Sequence, residues 1–162
     1  MTLSSQDASA IIRDVTAVLE DENLQLRVDD ETDIPKINTG FINLAITIAI
    51  DEDYLAVEAA WRGSVATDDA ATLLAVTNEW NQSQISPQVR FFERDGQLNI
   101  SMMRQVLVSE GLTYNQCGAF LMSTLESMVA ASQWLEENFP ESITWNDPHA
   151  VSHSNTHQDS ED

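Results

Sequence analysis

Three histidines near the C-terminus have the spacing that comes closest to a metal site. His149, His153 and His157 recur every four residues, so they would share one face if their segment were helical. Neutral imidazoles at this spacing can hold a transition metal. The three histidines are flanked by Pro148 and separated by serine, asparagine and threonine among other residues, and all four residue types are poor helix formers. We therefore expect a solvated tail, and we predict no metal ligands and no cofactor.

Paired carboxylates are abundant, but their positions do not predict catalysis. Glycosidase-type chemistry needs one buried acid with a raised pKa and a second acid that stays ionised. The acidic clusters at 29–33 and 51–53 lie in predicted loops, where solvent gives every carboxylate a similar environment. A calcium loop beginning at Asp51 also fails, because Ala56 occupies the required glycine position and Arg62 the closing glutamate position.

The segment 78–96, NEWNQSQISPQVRFFERDG, concentrates polar side chains between a predicted helix and a predicted strand. Asn81 would end the helix and hydrogen-bond to nearby backbone, and Pro87 favours an extended entry to the strand. Arg90 and Arg94 share one face of that strand, where acids of a neighbouring strand can pair with them. Because no nucleophile and base lie nearby, we interpret this segment as structural rather than reactive.

Length and composition predict one globular domain in a reducing compartment. The chain has 162 residues, and 43% of them are hydrophobic. Its single cysteine, Cys117, cannot form an internal disulfide, and it lies on the inner face of a predicted helix, so we expect a buried, unreactive thiol. The N-terminus does not resemble a signal peptide, and the longest apolar stretch, around 41–50, is too short to cross a membrane. We predict a cytoplasmic protein.

The charge of the chain is its most unusual property. Twenty-seven acidic residues face seven basic ones, which gives a net charge of −20. Such a surface repels phosphate backbones, so nucleic acid and anionic membranes are not expected partners. The acidity is interpreted as a source of solubility or as an adaptation to a salty cytoplasm; the alternative is a basic partner protein.

Hydrophobic periodicity predicts an α+β fold. Helices are expected at 5–22, 67–82 and 113–138, and strands at 24–28, 42–50 and 54–62 and in a hairpin that turns at Asp95-Gly96. The resulting order, α-β-β-β-α-β-β-α, indicates a single layer of helices on one face of a twisted, mainly antiparallel sheet. Residues 1–139 would form this domain, and residues 140–162 a polar, mostly disordered tail.

Alternation also assigns side chains to the two faces of the sheet and to the inner faces of the helices. Ile42 is expected to point into the core with the other isoleucines of its strand, and Leu74 to lie on the inner stripe of the second helix. The outer face of the hairpin would carry Phe92, and the same alternation places Met103 and Leu107 outside. If no helix covers that face, these residues form an association surface; the alternative is that a helix of the same chain covers them.

Several turn and packing residues resemble those of the YbjN-like family of bacterial sensory-transduction regulators. They are Trp80-Asn81 at the end of the second helix, a proline followed by the hairpin VRFFERDGQLNI, and the segment VSEGLTYNQCGAFLMSTLESMV with Gly111, Thr113 and Phe120. The match is best from about residue 68 to residue 139. The resemblance implies a fold similar to class I type III secretion chaperones, which often form dimers, and it implies no established catalytic residues.

We therefore predict a non-enzymatic protein-interaction module, a regulator or chaperone-like adaptor that forms a homodimer and binds a protein partner. The candidate interface residues are Phe92, Met103 and Leu107, and no catalytic residues are predicted. The alternative is a small-ligand binder or an enzyme with a pocket between sheet and helices, lined by Trp61 and Trp80. That alternative requires a hydrated cavity with a few inward polar groups.

Overall fold

A computed structural model describes residues 2–145, which form three helices and one six-stranded sheet. The helices are α1 (Ser5–Asp21), α2 (Ala70–Ser83) and α3 (Tyr114–Asn138), and the strands are β1 (Arg27–Asp29), β2 (Lys36–Phe41), β3 (Leu44–Asp51), β4 (Tyr54–Ala66), β5 (Gln88–Arg94) and β6 (Gln97–Leu107). The predicted α+β class is confirmed, and the helices and the strand runs alternate in the predicted order. The first run contains four strands rather than three.

All neighbouring strands are antiparallel, in the order β1-β2-β3-β4-β6-β5. The β5–β6 hairpin turns at Asp95 and Gly96, whose φ angles are 54° and 73°. Positive φ at both positions is the requirement of the predicted two-residue turn. This turn pairs Arg94 with Gln97 and so fixes which side chains of the hairpin face the helices.

The strand that the sequence did not reveal is β2. Its sequence, KINTGF, mixes polar residues with a glycine and gives no clear alternation, yet it pairs with β3 from Ile37 to Phe41. Ile42 was placed on the inner face of a strand, and this prediction is wrong. The chain reverses between Phe41 and Leu44, so Ile42 lies in the turn with 65% of its surface exposed.

The first strand is shorter and begins later than predicted. Leu24 and Leu26 are partly buried against the core, which explains their apolar character, but they precede the strand. The backbone N–H of Leu24 still donates to the carbonyl of Leu19, because the chain is leaving α1 at this point. The alternation of apolar and polar residues in this short segment therefore indicated contacts with the core rather than pairing with another strand.

Side-chain caps satisfy the first N–H groups of α1 and α3, and all three helices pack on one face of the sheet. Ser4 accepts a hydrogen bond from the Asp7 N–H at the start of α1, and Thr113 forms a capping box with Gln116 at the start of α3. In α2 the buried positions follow one helical stripe: Leu73, Val76, Thr77 and Trp80. Leu74 lies about 100° around the helix from Leu73 and is 51% exposed, which corrects its predicted position.

Beyond residue 139 the described chain remains in contact with the domain. After a single helical turn at Pro140–Ser142, the Ser142 hydroxyl donates to the carbonyl of Ser64 at 2.6 Å. The ring of Trp145 meets that of Trp61 edge-on, with 6.0 Å between centroids. The rest of the predicted tail, with its three histidines, lies outside the described residues, and the domain boundary stays a prediction.

Candidate interaction surface

The sheet has one face that no helix covers in the part of the chain the structure describes. All three helices pack on the opposite face, where alternate strand residues are buried. We call the uncovered side the open sheet face. One row of paired residues crosses it from β1 to β5: Arg27, Asn38, Thr47, Glu58, Met103 and Gln88. The uncovered face leaves the predicted association surface accessible to another molecule.

The structure places Phe92, Met103 and Leu107 on this face, but it does not bring them into one cluster. Phe92 lies opposite Asn99 on β6. Met103 and Leu107 follow four and eight residues further along that strand, about 14 Å and about 27 Å from Asn99. The three side chains therefore mark a line along β6, and a partner must cover most of the sheet to contact all of them.

Tyr54 is a fourth apolar contributor that the sequence analysis did not single out. It pairs with Leu107 at the end of β4, and the two side chains are 37% and 55% exposed. The sequence does contain a signal for this position, because apolar Leu55 and Val57 mark the inner face of the strand and alternation then places Tyr54 on the outer face. Apolar residues therefore lie at both ends of the open sheet face.

The centre of the open sheet face is lined by small side chains. Ala49 pairs with Ala56 across β3 and β4, and both residues line a hollow of about 440 Å³. Lys36, Glu58 and Met103 stand at the edges of the same hollow. Small residues here let another protein backbone approach the sheet closely.

Charge is segregated between the two sides of the sheet. Of the seven basic residues of the chain, five lie on the open sheet face: Arg27, Lys36, Arg62, Arg90 and Arg94. Three acids share that face: Asp29, Asp51 and Glu58. Five positive and three negative charges leave this face at +2, on a protein whose net charge is −20. The acidic excess therefore lies elsewhere on the chain.

The arginines of β5 make local contacts on this face. Arg90 forms an ion pair with Glu58, with 3.2 Å between Nη2 and Oε1, and its Nε donates to the Ser101 hydroxyl at 3.0 Å. The predicted acidic partner thus comes from β4, one strand beyond the direct neighbour. The guanidinium of Arg94 lies 5.4 Å from the centre of the Phe92 ring. Both contacts are exposed, so each adds little to stability and leaves the arginines accessible.

The polar residues of segment 78–96 hold the β5 edge of the sheet. The Asn81 side-chain amide donates to the carbonyl of Val89 at 2.8 Å, and its oxygen accepts the Val89 N–H at 2.9 Å. Beside it, Trp80 Nε1 donates to the carbonyl of Pro87 at 3.0 Å. Asn81 therefore satisfies both backbone groups of an edge residue, which agrees with the structural interpretation of this segment; α2 itself continues to Ser83.

The two tryptophans proposed for a ligand pocket are packed into the protein. Trp80 contacts Trp134 with 6.5 Å between ring centroids, and Trp61 is covered by Trp145 and by the backbone of Gly63. They are 8% and 4% exposed. Within residues 2–145, Trp61 Nε1 is the single buried side-chain polar atom without a hydrogen-bond partner. Both rings are therefore almost completely withdrawn from solvent.

The remaining candidates for chemistry are not assembled into a site in the described residues. Cys117 is fully buried; that burial, together with the nearby Asp14 carboxylate, raises the pKa of its thiol to about 11. Between residues 2 and 145, no three histidine, cysteine, aspartate or glutamate side chains come together as a metal site. No helix in that range is long and apolar enough to cross a membrane.

Comparison with known proteins agrees with this fold. The model of the YbjN family, described as "Putative bacterial sensory transduction regulator", matches residues 12–137. This chain belongs to the YbjN family. The family description is of regulators and names no enzymatic activity.

The YbjN fold is also found among solved structures, where five chains match. One is a crystal structure of YbjN, described as a putative transcription regulator from E. coli, with a TM-score of 0.63 and 15% sequence identity. The alignment covers 78% of this chain and 89% of that one. At this identity the likeness shows the YbjN fold alone. No curated protein matches the chain.

Proposed function

We propose that this chain is a non-enzymatic, cytoplasmic regulator that acts by binding other proteins as a chaperone-like adaptor. It works as a homodimer whose two copies meet through their open sheet faces. The observation that carries this proposal is an uncovered sheet face with a small positive charge on a strongly acidic protein. Membership of a family described as regulators supports the regulatory part.

Electrostatics favour this face over the others for contact between two copies. Each copy carries a net charge of −20, so most approaches bring acidic surfaces together. When the open sheet faces meet, the acidic helix sides lie at the greatest distance from each other. The exposed ends of Arg90 and Arg94 can then pair with Asp29, Asp51 or Glu58 of the second copy, which favours this orientation.

The dimensions of the face suit a stable dimer. Six strands separated by about 4.8 Å span about 24 Å, and the apolar line along β6 extends about 27 Å. These lengths enclose roughly 650 Å² per copy, close to the value of about 800 Å² per partner that is usual for specific interfaces. In a dimer with a two-fold axis the same surface of each copy forms the interface, so Phe92, Met103 and Leu107 of both copies would contribute contacts.

The experiment measures molar mass in solution. Size-exclusion chromatography with light scattering should give about twice the chain mass of 18.0 kDa for the wild-type protein. The double variant Phe92→Ser/Met103→Ser should elute as a monomer with an unchanged far-ultraviolet circular dichroism spectrum. Ile85→Ser is the matched control, because Ile85 is fully exposed in the loop before β5 and lies off the sheet face.

The possible outcomes separate the parts of the proposal. A wild-type monomer at about 100 μM would refute the homodimer. A dimer that survives the double variant would move the interface to another surface. Lysate proteins that bind both the wild-type chain and Ile85→Ser, identified by mass spectrometry, would be candidate targets of the adaptor. Direct binding of a purified target would then test the adaptor role.

A further inference from the structure

A second accessible surface lies on the helix side of the sheet, where α1 ends and α3 crosses the end of β2. It is a groove of about 340 Å³, which we call the helix-side groove. Its lining residues are Leu24, Phe41, Met122, Leu125 and Val129, with Glu22 and Glu126 at its edges. Phe41 shares the inner face of β2 with Ile37, so this groove and the open sheet face lie on opposite sides of the sheet.

The lining of the groove is apolar and is already fixed by the core. Leu125 is 4% exposed and belongs to the main hydrophobic cluster, while Leu24, Phe41 and Met122 are partly buried against that cluster. Side chains held in this way need no rearrangement to receive a ligand. A concave, preformed apolar surface of this kind binds apolar groups.

The edges of the groove are negative and lack a counter-charge. No lysine or arginine lines the groove, and within residues 2–145 the carboxylates of Glu22 and Glu126 make no ion pair or hydrogen bond. The last turn of α1 contains no basic residue, and its Asp21 carboxylate accepts a hydrogen bond from the Tyr114 hydroxyl rather than lining the groove. The partial negative charge of the helix C-terminus adds to the carboxylates of Glu22 and Glu126. A cation beside the groove is therefore favoured by several charges at once.

Two occupants from the protein itself fit this chemistry poorly. Residues 146–162 contain one large apolar residue, Val151, and several acids, so that segment would bring negative charge to a negative site. A second copy also carries a net charge of −20, and five of its seven basic residues lie on the open sheet face. The groove instead matches an apolar segment with basic flanks.

We infer that the helix-side groove binds a short apolar segment of a partner protein that is flanked by lysine or arginine. The apolar residues of that segment enter the groove, and the flanking cations pair with Glu22 and Glu126. This inference rests on the proposed function only in that the chain acts by binding proteins. It assigns partner binding and self-association to opposite sides of the sheet.

The test uses a fluorescent synthetic peptide with a leucine–phenylalanine centre and a lysine at each end, titrated with the full chain. Fluorescence anisotropy should show saturable binding that weakens as salt is added. Glu22→Gln/Glu126→Gln should weaken binding about threefold to tenfold, because two exposed ion pairs are lost. Glu79→Gln/Glu110→Gln removes the same charge from residues that do not line the groove, and it should bind like the wild type.

A second peptide, with glutamate in place of each lysine, tests the role of charge, and Val129→Trp tests the location by filling the groove. Equal binding of both peptides, no binding of the lysine peptide, or unchanged binding by Val129→Trp would each overturn the inference. Molar mass is measured in the same samples. Variants of the groove should stay dimeric, and Phe92→Ser/Met103→Ser should still bind the peptide. Loss of the dimer in the groove variants would instead identify a second copy as the occupant.

Discussion

The two hydrogen bonds between Asn81 and Val89 provide the sharpest test of how this fold is held together. Both bonds have good lengths, 2.8 Å and 2.9 Å, and both are partly buried at the edge of the sheet. Asn81→Ala removes both and leaves the Val89 N–H and carbonyl without this partner. At about 1 kcal/mol for each neutral bond, the loss is about 2 kcal/mol.

A control on the same helix corrects for helix propensity. Alanine is favoured over asparagine within a helix by about 0.5 kcal/mol, and Asn78 is exposed on α2 with no side-chain hydrogen bond in the described residues. Asn78→Ala should therefore raise the free energy of unfolding by about 0.5 kcal/mol, and Asn81→Ala should lower it by about 1.5 kcal/mol. The difference between the two variants isolates the hydrogen bonds.

Urea denaturation, followed by circular dichroism and by tryptophan fluorescence, measures both values. The variants are compared at one protein concentration, because self-association makes the apparent stability depend on concentration. The slope of the unfolding free energy against urea concentration should be the same for the variants and the wild type. Equal stability of Asn81→Ala and Asn78→Ala would refute the reasoning, since it would mean that water replaces the amide without cost.

Further predictions concern two glycines and the buried thiol. Gly63→Ala would place its methyl group 2.5 Å from the Trp61 ring and should destabilise the protein by about 1–3 kcal/mol. In Gly118→Ala the added methyl group lies 3.8 Å from its nearest neighbour, an ordinary contact, and alanine is favoured within a helix, so this variant should stabilise the protein by about 1 kcal/mol. If urea denaturation showed that both variants stabilise or both destabilise the protein, this pair of predictions would be contradicted. Cys117 should react with a disulfide reagent at pH 8 only after unfolding, and immediate labelling of the native protein would show that the thiol is accessible. Because burial raises the pKa of that thiol from 9.0 to about 11, the unfolded chain ionises first, so the free energy of unfolding should fall as pH rises from 9 to 11. Cys117→Ala should remove this part of the pH dependence.

Local patterns in the sequence determined much of the fold. The three helices were predicted from apolar spacing, and the register of the β5–β6 hairpin followed from Asp95-Gly96, because both signals depend on residues close together in the chain. The outward positions of Phe92, Met103 and Leu107 followed from the same alternation. The errors lie where local signals are weak: β2 has no clear alternation, and Ile42 looked like a strand residue although it occupies a turn.

Only the tertiary structure decided which distant residues share a surface. The five basic residues of the open sheet face come from β1, β2, β4 and β5, and their common side depends on strand pairing that no local pattern reveals. The helix-side groove likewise joins Leu24 and Phe41 to Met122, residues far apart in the chain. The sequence by itself determined the helices, most of the strands, the excess of acid and the absence of a recognisable catalytic motif. Long-range packing decided where the remaining positive charge and the accessible apolar surface lie, because those positions depend on how the strands pair and on which face the helices cover.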